Sequence, residues 1–425
     1  MNLRSVLAGA WTRIALASCA ALLSAVPGQA QMTALVGGTV VDVTDGRSIP
    51  NAVVLVDGER ITAVGSRSDV AVPAGAETVD MTGKWLTPGL MNMHVHLDLN
   101  LPGESHVYNE TPDARALRML DNAQKSLAVG VTTLRLTGAT GGADFAVKQA
   151  IDSGVFPGPR IHTAGESIVP TGGHGRTEAN GPYEFAKAVR EQIKAGATWI
   201  KLGISGGISD VRGAIGASPF TDEELQTAIE VAHRNGVKVT GHTGSPVASK
   251  VAIEAGIDAF EHGYFFTPEV LDLMVENGTW YVPTIVVSQE GALEFYRKIG
   301  SPDWYLARQA SVGKVHWQTL QNAIAAGVNI ALGSDQYPFE PNSGTNATVA
   351  EAELYRDAGM SDLEALQAAT IEPARMLEVD DEVGLIAPGF YADIVAMDAD
   401  PLADIGALRS IDFVMKGGEV FRSEP

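Results

Sequence analysis

The chain has 425 residues, with 30 Lys+Arg against 51 Asp+Glu, a net charge of -21 and a single cysteine. That length accommodates one large domain or two ordinary ones, and 45% hydrophobic with 19% charged residues is a globular composition. The acidic balance argues against a phosphate-binding face for nucleic acid. One cysteine excludes a disulfide framework and a cysteine-rich zinc module, so the nine histidines become the candidate metal ligands.

Residues 1–30 contain Arg4 and Arg13 and no acidic residue, and Ile14 to Val26 is an apolar run that Pro27 ends. Small residues follow at Gly28 and Ala30. This is a secretory signal pattern, too short for a permanent membrane anchor. Leu16-Ala17-Ser18-Cys19 also resembles a lipoprotein cleavage box, but few apolar residues separate Arg13 from Cys19, so lipid anchoring ranks second. The expectation is a mature chain starting near Gln31, secreted or periplasmic, with no stable membrane span.

Residues 31–85 read as short strands with tight turns. Ala52–Val56, Asp57-Gly58 and Ile61–Val64 form a hairpin signal. Residues 380–425 read alike, with strands at Ala392–Met397 and Ile411–Met415 and a turn at Lys416–Glu419. Together the two ends predict one small β-sandwich domain.

Between them, residues 86–379 alternate strands and helices. Expected strands are Gly89–His96, Val131–Gly138, Arg160–Gly165, Trp199–Ile204, Lys238–Thr243, Ala259–Tyr264, Trp280–Val286 and Asn329–Ser334. Helical patterns follow most of them. Thr221–Glu224 is a capping box, and glycines such as Gly278 and Gly327 stand where helix C-caps want a left-handed residue. Eight such units over about 290 residues predict a (β/α)8 TIM barrel, of α/β class, rather than an open doubly wound sheet.

His94-Val95-His96 ends the first barrel strand, and alternation puts both imidazoles on one face. Lys201 sits within an apolar strand, where an ammonium is costly unless paired or modified. His242 and His262 end the next two strands, and Asp335 ends the eighth. Each alone has an ordinary packing explanation. Six such residues at the ends of five strands, where barrel enzymes build their sites, are hard to obtain from packing.

This set, with Leu86–His94 and the split β-domain, resembles the amidohydrolase superfamily over essentially the whole mature chain. Gly158-Pro159-Arg160, Thr171–Gly175 and Lys201-Leu202 with Ser205-Gly206-Gly207 resemble its Xaa-Pro dipeptidase, carboxypeptidase and ochratoxinase-like branch. The resemblance implies two divalent metal ions, Zn2+ first, held by His94, His96 and Asp335 and by His242 and His262. A CO2-derived carbamate on Lys201 would bridge them. It implies a metal-bridging hydroxide as nucleophile and Asp335 as the catalytic proton carrier. Mn2+, Co2+ and Ni2+ suit the same donors.

At the substrate end, His174 lies in the long loop after the third strand and is a candidate catalytic and substrate contact. Arg212, Tyr264 and Tyr337 are candidate substrate-binding residues. Two departures from the family stand out: Arg135-Leu136-Thr137 replaces an Arg-Asp pattern, and His242 has no second histidine nearby. The expected function is hydrolysis of the C–N amide bond of a dipeptide, a C-terminal amino acid or an ochratoxin-like N-acyl amino acid. The alternatives are a cyclic amide, lactone or phosphotriester hydrolase on the same centre, and a non-catalytic scaffold that the intact ligand set disfavours. The partner is then a small molecule or short peptide; homo-oligomerisation is left open.

Overall fold

The computed structural model describes residues 32–99, 110–335 and 347–423. The proposed signal segment therefore lies outside the described residues. No helix among the described residues is long and apolar enough to cross a membrane.

Two sheets are built from the chain ends. One has the strand order Arg60–Ser66, Ala52–Asp57, Thr33–Val36, Glu77–Asp80. The other runs Glu419–Ser423, Phe413–Lys416, Ile394–Met397, Trp85–Pro88, Thr39–Val41, Ser48–Ile49. Leu86 lies opposite Ala396, so N- and C-terminal segments share one ladder. Leu35, Val54, Ile61, Leu86, Ile394 and Met415 fill a common core between the sheets. Both hairpins turn through glycine: Gly58 has φ 57°, and Gly417 and Gly418 have φ 55° and 77°. A Cβ on Gly418 would stand 2.0 Å from the Gly58 carbonyl oxygen, so these turns pack backbone to backbone.

The middle of the chain is α/β with parallel strands. Arg160–Thr163, Val131–Leu136 and Leu90–Val95 form one sheet. Thr177–Glu178, Ile168–Val169, Trp199–Gly203, Lys238–Thr243, Ala259–His262 and Trp280–Val282 form the other. The expected ring is thus not one continuous ladder. A few main-chain bonds span the gaps: Thr198 N–H to Thr163 O (2.8 Å); Tyr281 N–H to Asn329 O (2.8 Å) and Ala331 N–H to Tyr281 O (3.0 Å); and Met93 N–H to Leu332 O (2.7 Å) with Asp335 N–H to His94 O (2.8 Å).

The interruptions have local causes. The expected eighth strand is reduced to one bridge, Ile330 to Tyr281. Gly333 presses its backbone against His94, and Asp335 turns to φ 50°, which no extended ladder accommodates. The seventh strand stops at Val282 because Thr284 adopts φ 53° and a 3-10 turn, Ile285–Ser288, begins. The helix Glu290–Lys298 and the pair Asp362–Ala368 and Ile371–Leu377 add to the expected helices. The helix Asp222–Arg234 carries the expected capping box, with the Thr221 side chain on Glu224 N–H and the Glu224 side chain on Thr221 N–H.

Candidate active site

All six residues expected as metal ligands line one cavity of about 400 Å³. His94 is the last residue but one of the all-buried strand Leu90–Val95, and His96 follows that strand. Their Nε2 atoms are 3.2 Å apart, and Asp335 Oδ1 is 3.2 Å from each. The outer nitrogens are engaged. His96 Nδ1 donates to the Gly138 carbonyl (2.8 Å), and His94 Nδ1 meets Glu261 Oε2 (2.6 Å). Burial opposes the Glu261 carboxylate, but Arg135, His94 and Lys201 hold its pKa well below the usual range. An ionised carboxylate only accepts, so this contact calls for a proton on His94 Nδ1.

His242 donates Nε2–H to the Gly206 carbonyl (3.1 Å), which leaves Nδ1 for the cavity. His262 Nδ1 is 2.6 Å from Thr284 Oγ1, and the two imidazole centroids are 4.4 Å apart. Burial pushes both imidazoles well below their usual pKa, so both are neutral donors. Lys201 is 4% exposed and has no hydrogen-bond or ion-pair partner among the described residues. Burial pushes its ammonium down to about 8. His262, Thr284 and Asp335 all take left-handed φ values, of 68°, 53° and 50°. Such backbone is costly for residues with a Cβ and collects at functional sites.

The donor set fits a divalent cation. Zinc bonds of about 2.0–2.1 Å in a tetrahedral array put neighbouring donors about 3.3 Å apart. His94 Nε2, His96 Nε2 and Asp335 Oδ1 are at that separation, with lone pairs turned toward one another. Burial depresses the His96 imidazolium, yet Asp335 beside it outweighs burial and its pKa rises. Proton and cation therefore compete for the same space. Lys201 fits the carbamate reading, because a buried amine near 8 has the neutral fraction that reaction with CO2 requires.

Around this centre the substrate candidates separate. His174 lines the cavity, with Nδ1 2.8 Å from Asp210 Oδ1 and its ring 4.2 Å from His242. Gly207 makes room for it: a Cβ there would lie 2.4 Å from the His174 ring. Tyr264 stacks on His262 with centroids 5.2 Å apart. Burial pushes the Tyr264 hydroxyl well above its usual pKa, so it serves only as a neutral donor or acceptor. Arg212 is exposed and outside the cavity lining. Arg308 clamps the carbonyls of Gly207, Ile208 and Gly213, and Asp210 rather than Arg212 meets the cavity. Tyr337 lies outside the described residues.

Several site residues escaped the sequence reading. Arg176 lines the cavity from the loop that carries His174 and has no side-chain partner among the described residues. Tyr296 and Tyr305 form an aromatic wall, Tyr296 from the helix absent from the sequence reading and Tyr305 from the start of an expected one. Glu261 precedes a ligand candidate, where strand alternation would turn it to the opposite face. The left-handed φ of His262 breaks that alternation, and both side chains face inward. The available signal was a charged residue in an apolar strand, the same one that marked Lys201.

The chain is 28% identical to the ochratoxinase of Aspergillus niger over 434 aligned positions, covering 93% of this chain and 87% of that protein. A Xaa-Pro dipeptidase crystallised with methionine in its active site superposes with a TM-score of 0.86 at 31% identity, over 92% of this chain and all (100%) of that one. A prolidase complexed with N-methylphosphonate-L-proline gives 0.84 at 28% identity, over 93% of this chain and 100% of that one. The amidohydrolase family pattern matches residues 85–421. This protein belongs to the amidohydrolase family and is a hydrolase.

Proposed function

We propose that this chain is an exported, binuclear metal-dependent hydrolase of C–N amide bonds. Its substrates are a dipeptide, a peptide's C-terminal residue or an N-acyl amino acid. The observation that carries this reading is the convergence of His94 Nε2, His96 Nε2 and Asp335 Oδ1 at 3.2 Å beside an unpaired buried Lys201. The two parallel sheets act as one (β/α)8 barrel whose C-terminal strand ends carry the site.

His94, His96 and Asp335 would hold one cation and His242 and His262 the other, and Lys201, once carbamylated, would add oxygen donors to this site. Zn2+ at these donors supplies an acidified water and a polarised amide carbonyl. Asp335 stays ionised at neutral pH: burial opposes it, but His94, His96 and His262 hold its pKa well below the carboxylate range. It accepts the proton of the attacking water and delivers it to the leaving nitrogen. Asp210 fixes the His174 ring, whose Nε2 is then the atom available to the substrate. Arg176 supplies a guanidinium fork for a substrate carboxylate, and Tyr296 and Tyr305 an apolar wall for a side chain. The ochratoxinase and prolidase relatives support an amide next to a carboxylate-bearing residue.

The test is hydrolysis of dipeptide, N-acyl amino acid and ochratoxin panels by protein loaded with zinc and bicarbonate, beside lactone and imide panels. Amide cleavage lost in Asp335→Ala is expected. No amide cleavage by the wild type, or full activity in Asp335→Ala, sinks the reading.

A further inference from the structure

Arg135 and Glu261 are buried charges that the proposed chemistry leaves unused. Both are fully buried. Arg135 Nε donates to the Met93 carbonyl (2.7 Å), and Nη2 donates to Glu261 Oε1. The guanidinium carbon also stands 4.5 Å from the Trp199 ring centroid. Thr240 Oγ1 donates to the same Glu261 oxygen. The other oxygen, Oε2, receives His94 Nδ1–H at 2.6 Å. Four strands thus meet at one carboxylate, two from each parallel sheet.

Fold stability alone does not explain this arrangement. Desolvating two charges cancels most of what their attraction returns, and apolar pairs of similar volume often serve as well. What the pair supplies is a fixed acceptor. A neutral imidazole carries one proton on either nitrogen, and the partner of one nitrogen decides which. His96 receives the same instruction from a backbone carbonyl, which can neither rotate away nor change charge. Among the described residues His94 has no backbone acceptor at Nδ1, and Glu261 stands in that place.

We propose that Glu261, itself fixed by Arg135 and Thr240, is the positioning residue that commits His94 to its Nδ1–H tautomer. It thereby presents a bare Nε2 to a cation shared with His96 and Asp335. The inference rests on the metal reading above for its purpose, but not for its geometry. It also accounts for Arg135, which stands where the family pattern has Arg-Asp: its partner is carried by another strand.

The experiment is nitrogen NMR of the protein with 15N-labelled histidine, metal-free and at mildly alkaline pH, with the His94 signals identified by their loss in His94→Asn. The expected result is a protonated Nδ1 and a bare Nε2. A proton on Nε2 in the wild type overturns the proposal without any further variant. Glu261→Gln places an amide N–H against His94 and is expected to move the proton to Nε2. It should weaken zinc binding about 10–100-fold in chelator competition, the usual effect of removing such an outer partner. Unchanged tautomer and unchanged affinity in that variant also overturn it. If Glu261→Gln does not fold, Glu261→Gln with Arg135→Gln removes the stranded guanidinium, and the wild-type spectrum decides regardless. A wild type that loads no zinc defeats the metal reading while the tautomer still decides this one. Equal zinc affinity and an unmoved proton in wild type and variant defeat this proposal and leave the metal reading standing.

Discussion

Glu351 offers a quantitative test of how the site is supported. It is fully buried on the helix Ala347–Ala358, and its two oxygens accept the N–H groups of Ile285 (2.7 Å) and Val286 (2.8 Å). These begin the 3-10 turn whose preceding residue, Thr284, touches His262. Burial outweighs both N–H groups and pushes the carboxyl from 4.5 up to about 8. A carboxyl with a raised folded pKa stabilises fully below its unfolded value, and that contribution is lost as pH rises through the folded value. The window is therefore pH 4.5 to about 8, and at about 1.4 kcal/mol per pH unit the loss approaches 5 kcal/mol. Glu351→Gln cannot ionise, but its amide offers one acceptor for two N–H groups, which costs about 1–3 kcal/mol. The variant should be less stable than wild type below about pH 5 and more stable, by about 2–4 kcal/mol, above about pH 8. Urea unfolding of metal-free protein across this range measures the difference. Parallel stability curves for the two proteins would refute the argument that burial governs this group.

Four further outcomes are expected. Arg176→Gln should raise KM about tenfold or more for amides with a free carboxylate and leave kcat and esterified analogues nearly unchanged; equal losses on both would remove its anchoring role. Lys201→Met should bind one zinc or fewer, and 13C-bicarbonate should give a carbamate signal in wild type alone; that signal persisting in the variant refutes the assignment. His316 is fully buried and held at about 4, so its neutral form stabilises at neutral pH and that contribution is lost as pH falls from 6.5 to about 4. His316→Gln should flatten that part of the wild-type profile by about 3 kcal/mol, and an unaltered slope would contradict it. N-terminal sequencing of protein exported by a bacterial host should begin near Gln31; an intact Met1 on the exported chain would reject the signal reading.

Much of the site was readable because it depends on residue type at a strand end. His94 and His96 are two apart at the close of one strand, and both meet Asp335 Oδ1 as alternation suggests. Lys201, His242 and Asp335 were marked by charge or imidazole at the close of apolar runs. Helix boundaries at Thr221 and Gly278 followed from cap chemistry, which is local and needs no partner from elsewhere.

Tertiary structure decided what depends on departures from local rules and on distant partners. The left-handed backbone at His262 put Glu261 beside His94, a pairing across 167 positions that strand alternation forbids. The same backbone state at Thr284 and Asp335 ended two strands early and turned the Asp335 carboxylate onto the histidines. Which arginine meets the cavity was also settled by loop packing. Arg308 anchors the loop that sends Arg212 to solvent, whereas Arg176 reaches the cavity from a neighbouring loop. By itself the sequence determined which residues are the candidate donors, because donor atoms are properties of residue types. Their protonation states and outer partners come from burial and long-range contact, which exist only after the chain has folded.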